Sequence, residues 1–180
     1  EATQQNDKLP ANYITYLKDS MIPVCKKLFS VWFYVLPVSE TNPIVYPTDQ
    51  NQLKYDEQCV KAKLAGRPQV TNFDYVIFVQ GDNSTGSSTI AVGGACNYGS
   101  ATYHRGRPIY GLVRFGTNHF KVDNFNTFGN NVATTVHEIM HAFGFSSNDF
   151  KRFVDDNGAV LGEAKVVEKV AKTSSTRIIT

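Results

Sequence analysis

His137, Glu138 and His141 stand in the order His-Glu-Ile-Met-His, and their types and spacing suit hydrolytic chemistry at a metal ion. A helix turns about 100° per residue, so histidines four apart lie about 40° apart and one turn along. Both imidazoles can then reach one cation from the same face. Zinc takes imidazole nitrogen at about 2.0–2.1 Å in tetrahedral sites. Glu138, beside the first ligand, can face the open position, where zinc acidifies a water and the carboxylate takes its proton. The hydroxide attacks a peptide carbonyl, and Glu138 can pass the proton on to the leaving amine.

The alternative is accident. Four His and six Glu scattered at random over 180 residues would make this pattern with a chance of about 0.3%. The helical setting strengthens the chemical reading. Residues from Phe128 to Phe143 read as a helix, with Val132, Val136, Ile139, Met140 and Phe143 on one apolar stripe. That stripe lies on a different face from the two histidines, so they are not simply core residues. Gly144 stops the helix, as a glycine just past its end would. His104 and His119 sit in polar loops and read as exposed imidazoles rather than ligands.

The other elements must hold this helix in place. Residues 12–29 read as a helix, with Tyr13, Tyr16, Leu17, Ile22 and Leu28 at rough helical spacing and a kink or break at Pro23. Val31 to Leu36 (VWFYVL), which ends at Pro37, reads as a buried strand. Residues 39–70 are mostly polar with scattered prolines, and loops with short extended pieces are expected. Phe73 to Val79 is the clearest strand, followed by a loop over residues 81–88. Ile90 to Cys96 looks extended, and Gly93-Gly94 inside it hints at close backbone approach. Ile109 to Phe115 is a further strand. Asp155-Asp156-Asn157-Gly158 signals a tight turn between Phe153-Val154 and Val160-Leu161. Lys165 to Val170 reads as extended. The expected class is α+β (α/β-like), with helices against a mixed sheet.

The chain is long enough for one domain with a real core. Its 18 Lys and Arg against 16 Asp and Glu leave a net charge of +2, which gives no footprint for nucleic acid or an anionic membrane. No apolar run approaches the roughly 20 residues that span a bilayer. The polar start, Glu1 to Gln5, is not a signal peptide. Three cysteines, Cys25, Cys59 and Cys96, are an odd count; in a secreted chain one is a free thiol or has a partner elsewhere. Asn83-Ser84-Thr85 is a candidate glycosylation site in a polar turn.

The run from His137 to Ser146 (HEIMHAFGFS) resembles the active-site helix and glycine turn of the metzincin metalloproteases. Its neighbours are most similar to the leishmanolysin family (peptidase family M8). They are Phe73 to Val79, Ala91 to Cys96, Gly106 to Val113 and Phe153 to Gly158, and the resemblance runs over most of the chain from about Tyr13. It implies a metzincin N-terminal catalytic subdomain, a twisted mixed sheet with a backing helix and an active-site helix. It implies a Zn2+ endopeptidase with His137 and His141 as ligands and Glu138 as base. It implies a disulfide between Cys59 and Cys96, leaving Cys25 unpaired or bound elsewhere. The strand near residues 90–96 would be the sheet edge along which an extended protein or peptide substrate pairs, antiparallel. An extracellular or cell-surface protein is expected, and any membrane anchor or further partner would act through regions outside this segment.

Three departures shape the expectation. No histidine follows His141, the methionines are Met21 and Met140, so the family's methionine turn is missing, and so is its Cys-rich C-terminal region. The end at Thr176 to Thr180 resembles the interior of the family's insertion. The chain is therefore expected to be a single subdomain, residues 1–180, of a longer protein. Three readings stay open. One is a zinc endopeptidase whose third ligand lies beyond Thr180, another a catalytically inactive structural or adhesive surface protein. The third is a different zinc-peptidase class using Glu163 or Glu168. Phe143 and Tyr110 could line a substrate pocket, but both read as core residues.

Overall fold

The computed structural model describes residues 10–34, 41, 43–71, 73–82, 88–99, 106–122, 125–169 and 176–178, with backbone only for 125, 163, 164, 167–169 and 176–178. The chain enters as one helical rod: α1 (Ala11–Tyr16), a π-helical stretch (Leu17–Met21) and α2 (Ile22–Trp32). Tyr13, Leu17, Met21 and Cys25, four residues apart in turn, are the rod's buried face. Pro23 neither breaks nor ends it. Proline lacks an N–H and crowds the carbonyl four residues back. The widened turn just before it, where the Ile22 N–H reaches back to Leu17 O, absorbs that conflict.

Two expectations fail here. Val31 and Trp32 are helical and exposed, at 78% and 58%, and Phe33 and Tyr34 are irregular, so no buried strand starts there; residues 35–37 lie outside the described set. The reason is packing. Phe29 and Phe33 carry the rod's face onward to Phe143, at ring-centroid distances of 5.3 and 5.9 Å, and this contact overrides β propensity. Residues 39–70 also hold a helix, α3 (Gln50–Val60), where loops were expected. Asp49 caps it, its carboxylate accepting the N–H groups of Asn51 (3.1 Å) and Gln52 (2.9 Å). Of the expected short extended pieces, Ile44 and Val70 form an antiparallel bridge.

A three-stranded mixed sheet forms the centre: β1 (Val76–Asp82), β2 (Ala91–Tyr98) and β3 (Pro108–Gly116), in the order β1-β3-β2. β1 begins three residues later than the sequence suggests. β3 lies in the middle, parallel to β1 and antiparallel to β2, which is left at the edge. The period-two alternation of β3 feeds two cores. Tyr110 and Leu112 join Leu53 and Val60 of α3 on one face. Val113 and Phe115 join Met21, Cys25, Phe120 and Ile139 on the other. The sheet is thus covered by α3 on one side and by the α1–α2 rod and α4 (Phe128–Ala142) on the other.

Cys59 and Cys96 are bonded, tying α3 to β2. Cys25 is free and 1% exposed, and burial pushes its thiol up to about 11, so it stays neutral and inert at physiological pH. After α4 the chain makes the expected turn. Val154 and Val160 bridge antiparallel, and the Asp155 carboxylate accepts from Asn157 and Ala159 at 2.9 Å each. The expected extended run over 165–170 holds for Val167–Lys169 but not for Lys165 and Val166, and Val170 lies outside the described residues. Lys165 and Val166 end a short helix, α5 (Glu163–Val166), before β4 (Val167–Lys169) pairs with β5 (Thr176–Ile178).

Candidate active site

The inward face of α4 carries Asn131, Thr135, Ile139 and Ala142, all buried, with Val132, Val136 and Phe143 packed partly against the same core. Met140, expected on the stripe, belongs to neither core cluster, because that face is centred closer to Thr135 and Ala142. His137 is two residues from Ile139, about 200° round the helix, and is exposed. His141 and Glu138 are half-buried at the edge of the packed face.

β2 crosses α4 directly over Glu138. A Cβ placed on Gly93 would sit 2.6 Å from the carbonyl carbon of Glu138 and 2.8 Å from its Cα. Glycine at 93 is what lets helix and edge strand meet backbone to backbone.

The two imidazoles converge. His137 Nε2 and His141 Nε2 are 3.0 Å apart, with the rings nearly perpendicular at 87°. Two nitrogens bound to one tetrahedral zinc lie about 3.3 Å apart, so a shift of a few tenths of an ångström converts the pair into two ligands. The hydrogen bond on the other side of His141 fits the same use. Its Nδ1 lies 2.8 Å from Phe145 O. A carbonyl only accepts, so Nδ1 carries the proton and Nε2 keeps its lone pair for a metal.

That carbonyl is delivered by the turn at Gly144. Gly144 has φ +91°, its N–H bonds His141 O and the Phe145 N–H bonds Met140 O, both at 3.0 Å. This is the Schellman pattern that closes a helix and reverses the chain. Tyr75 donates its hydroxyl to Ala142 O in the same last turn, and burial above all holds its pKa well above the usual tyrosine value. A side chain at 144 would be strained twice, by the left-handed backbone and by a Cβ 2.9 Å from Pro108 Cγ. Gly144→Ala is therefore expected to cost about 2–3 kcal/mol of stability and to displace the Phe145 carbonyl from His141 Nδ1. Denaturant titration checks this; a variant as stable as its parent would contradict the account of the turn.

His141 opens onto a cleft of about 800 Å³ between β2 and the segment Ser146–Arg152. One wall is the edge strand from Gly93 to Tyr98, and Gln52 and Tyr55 of α3 close the far side. Sequence reasoning pointed to the wall from Gly93 to Cys96 and to His141, but not to Asp56, Asn97, Tyr98 or Asp149, which shape the rest. Tyr98 donates its hydroxyl to Asp149, which also accepts from Ser146 Oγ at 2.5 Å. Beneath β2, the fully buried Asp56 carboxylate accepts from Tyr110, from Asn97 and from Gln52 Nε2 at 2.6 Å, with Asn97 lying at an irregularity in the β2 register. Little local marks Asp56 as a hub; it sits in a polar helix, and beyond Gln52 its partners Asn97 and Tyr110 are 41 and 54 residues away. Tyr110 and Phe143 are packed residues, neither of them in the cleft lining.

Among the described residues no third His, Cys, Asp or Glu joins His137 and His141 in a group able to hold a metal. His119 is exposed in the turn after β3. His104 and Asn83 lie outside the described residues, as do the side chains of Glu163 and Glu168.

Against known proteins, the model of the leishmanolysin peptidases (M8) matches residues 3–176. A ciliated left-right organizer metallopeptidase from Xenopus laevis is 34% identical over 59 residues. That stretch is 33% of this chain and 8% of the relative, so the chain matches a small part of that protein's length.

Proposed function

Because the chain belongs to the leishmanolysin family of peptidases, we propose that it carries part of the active site of a zinc-dependent endopeptidase that works from the cell surface or outside the cell. The observation that carries the reading is the convergence of His137 and His141, with His141 oriented by the Phe145 carbonyl. These two histidines would hold the zinc, with a third ligand from outside the described residues. When bound, zinc supplies Lewis acidity to a water and to the substrate carbonyl.

The rest is done by the chain. Glu138 follows the first ligand on the helix, takes a proton from the attacking water and returns it to the leaving amine. Among the described residues β2 is an edge strand along the cleft, and a substrate laid antiparallel to it would be held extended beside His141. The disulfide between Cys59 and Cys96 suits an oxidising compartment. Among the described residues no helix is long and apolar enough to cross a membrane.

A second reading, a catalytically inactive surface or structural protein, is favoured by one observation. The described residues supply two ligands, whereas zinc sites ordinarily use at least three. Metal analysis of the intact protein separates the two. One zinc per chain is expected, and 1,10-phenanthroline should lower peptide cleavage at least roughly 100-fold, with recovery on adding zinc. A protein that holds no zinc and cleaves nothing would support the inactive reading.

A further inference from the structure

The cleft has an electrostatic character that the peptidase chemistry does not use. Its lining carries Lys151, Arg152 and a single carboxylate, Asp149, a net charge of +1 from these three groups. Asp149 is already engaged on both oxygens, by Tyr98 and Ser146. Lys151 and Arg152 are exposed, and neither forms an ion pair with a carboxylate among the described residues. Arg152 is also held in place. Its guanidinium lies 4.0 Å from the centroid of the Tyr98 ring, a stacking contact that leaves the edge of the fork free to bond. Tyr98 is pinned in turn by its bond to Asp149. A positioned, unpaired cation in a half-enclosed cleft is suited to a carboxylate.

The direction of β2 says where that carboxylate belongs. Gly93 lies over Glu138, next to the reacting bond, and Tyr98 is five residues further along the strand. A substrate antiparallel to β2 runs from the Tyr98 end towards Gly93, so the residues at Arg152 precede the bond to be cut. At about 3.4 Å per residue the separation is roughly 17 Å, less the reach of the arginine side chain. A substrate's C-terminal carboxylate lies on the other side of the bond, so the anion must be a side chain. We infer that Arg152, with Lys151, forms a subsite selecting Asp or Glu two to five residues before the scissile bond. This rests on the endopeptidase reading above.

The test uses the intact protein and fluorogenic peptides of one neutral sequence, each with a single Glu, or the isosteric Gln, at one of those positions. A roughly three- to tenfold preference in kcat/KM for Glu at one position is expected, shrinking with added salt. Arg152→Glu should invert the preference, and Arg152→Lys should keep part of it. Binding of the same peptides to the Glu138→Gln protein, followed by fluorescence anisotropy, reads the preference without turnover. Equal rates for Glu and Gln at every position, or a preference unchanged in Arg152→Glu, would overturn the subsite and leave the peptidase standing. A Glu preference in binding with no cleavage by the parent protein would uphold the subsite and overturn the peptidase.

Discussion

Replacing Glu138 by Gln is expected to lower kcat/KM for peptide hydrolysis by about 10²–10⁴, the usual worth of a positioned general base. The amide has the shape of the carboxylate but cannot take a proton at neutral pH. The histidines are untouched, so zinc content should stay at the parent's level, and α4 should stay folded because its buried face is Asn131, Thr135, Ile139 and Ala142. That combination separates loss of a base from loss of the metal, which His141→Ala would cause instead. Measurement needs kcat/KM, metal content and thermal unfolding on one preparation. Cleavage at the parent's rate by Glu138→Gln would remove Glu138 from the mechanism.

Gly93→Ala is expected to be strongly disruptive. The new Cβ would overlap the Glu138 backbone, and backbone cannot rotate out of the way as a side-chain tip can. Either β2 lifts from α4 or the helix shifts. Overpacking of this kind costs about 1–3 kcal/mol, which for a chain of this size is a fall in Tm of roughly 2–12 °C. Activity should fall with it, since the edge strand and the helix define the cleft together. Gly94→Ala is the internal control: its Cβ would meet nothing within 4 Å, so the fold should lose no more than about 0.5 kcal/mol. Equal effects of the two substitutions would show that strand propensity, not the contact with Glu138, explains the pair.

The two glycines look alike in the sequence, adjacent in one extended run, and the contrast between them marks a boundary. A hint of close approach was legible from Gly93-Gly94. Which of the two is pressed against α4 depends on how the helix lies across the sheet. The same boundary runs through the rest of the fold. α4, β3 and the turn at Asp155–Gly158 follow from local pattern and appear within a residue or two of their expected bounds. Val31 to Tyr34 did not, because aromatic residues suit a strand and a packed helix equally, and the long-range partners of Phe29 and Phe33 lie beyond residue 140. α3 was hidden because it buries few apolar residues, Leu53 and Val60 among them, and is held from outside by the disulfide and the Asp56 bonds.

The motif with which the chemistry begins belongs to the legible part. Two histidines four apart on a helix must share a face, and a glycine after the last turn must reverse the chain, because both follow from bonds within a few residues. The sequence alone therefore determined two candidate ligands, a candidate base and the stop that follows them. That the strand near residues 90–96 lies at a sheet edge was already implied by the resemblance; only the tertiary structure laid it over Glu138 and ran a cleft from His141 to Arg152. Those facts depend on contacts between residues far apart in the chain, whose free energy is shared among several elements and is written in no single stretch of sequence.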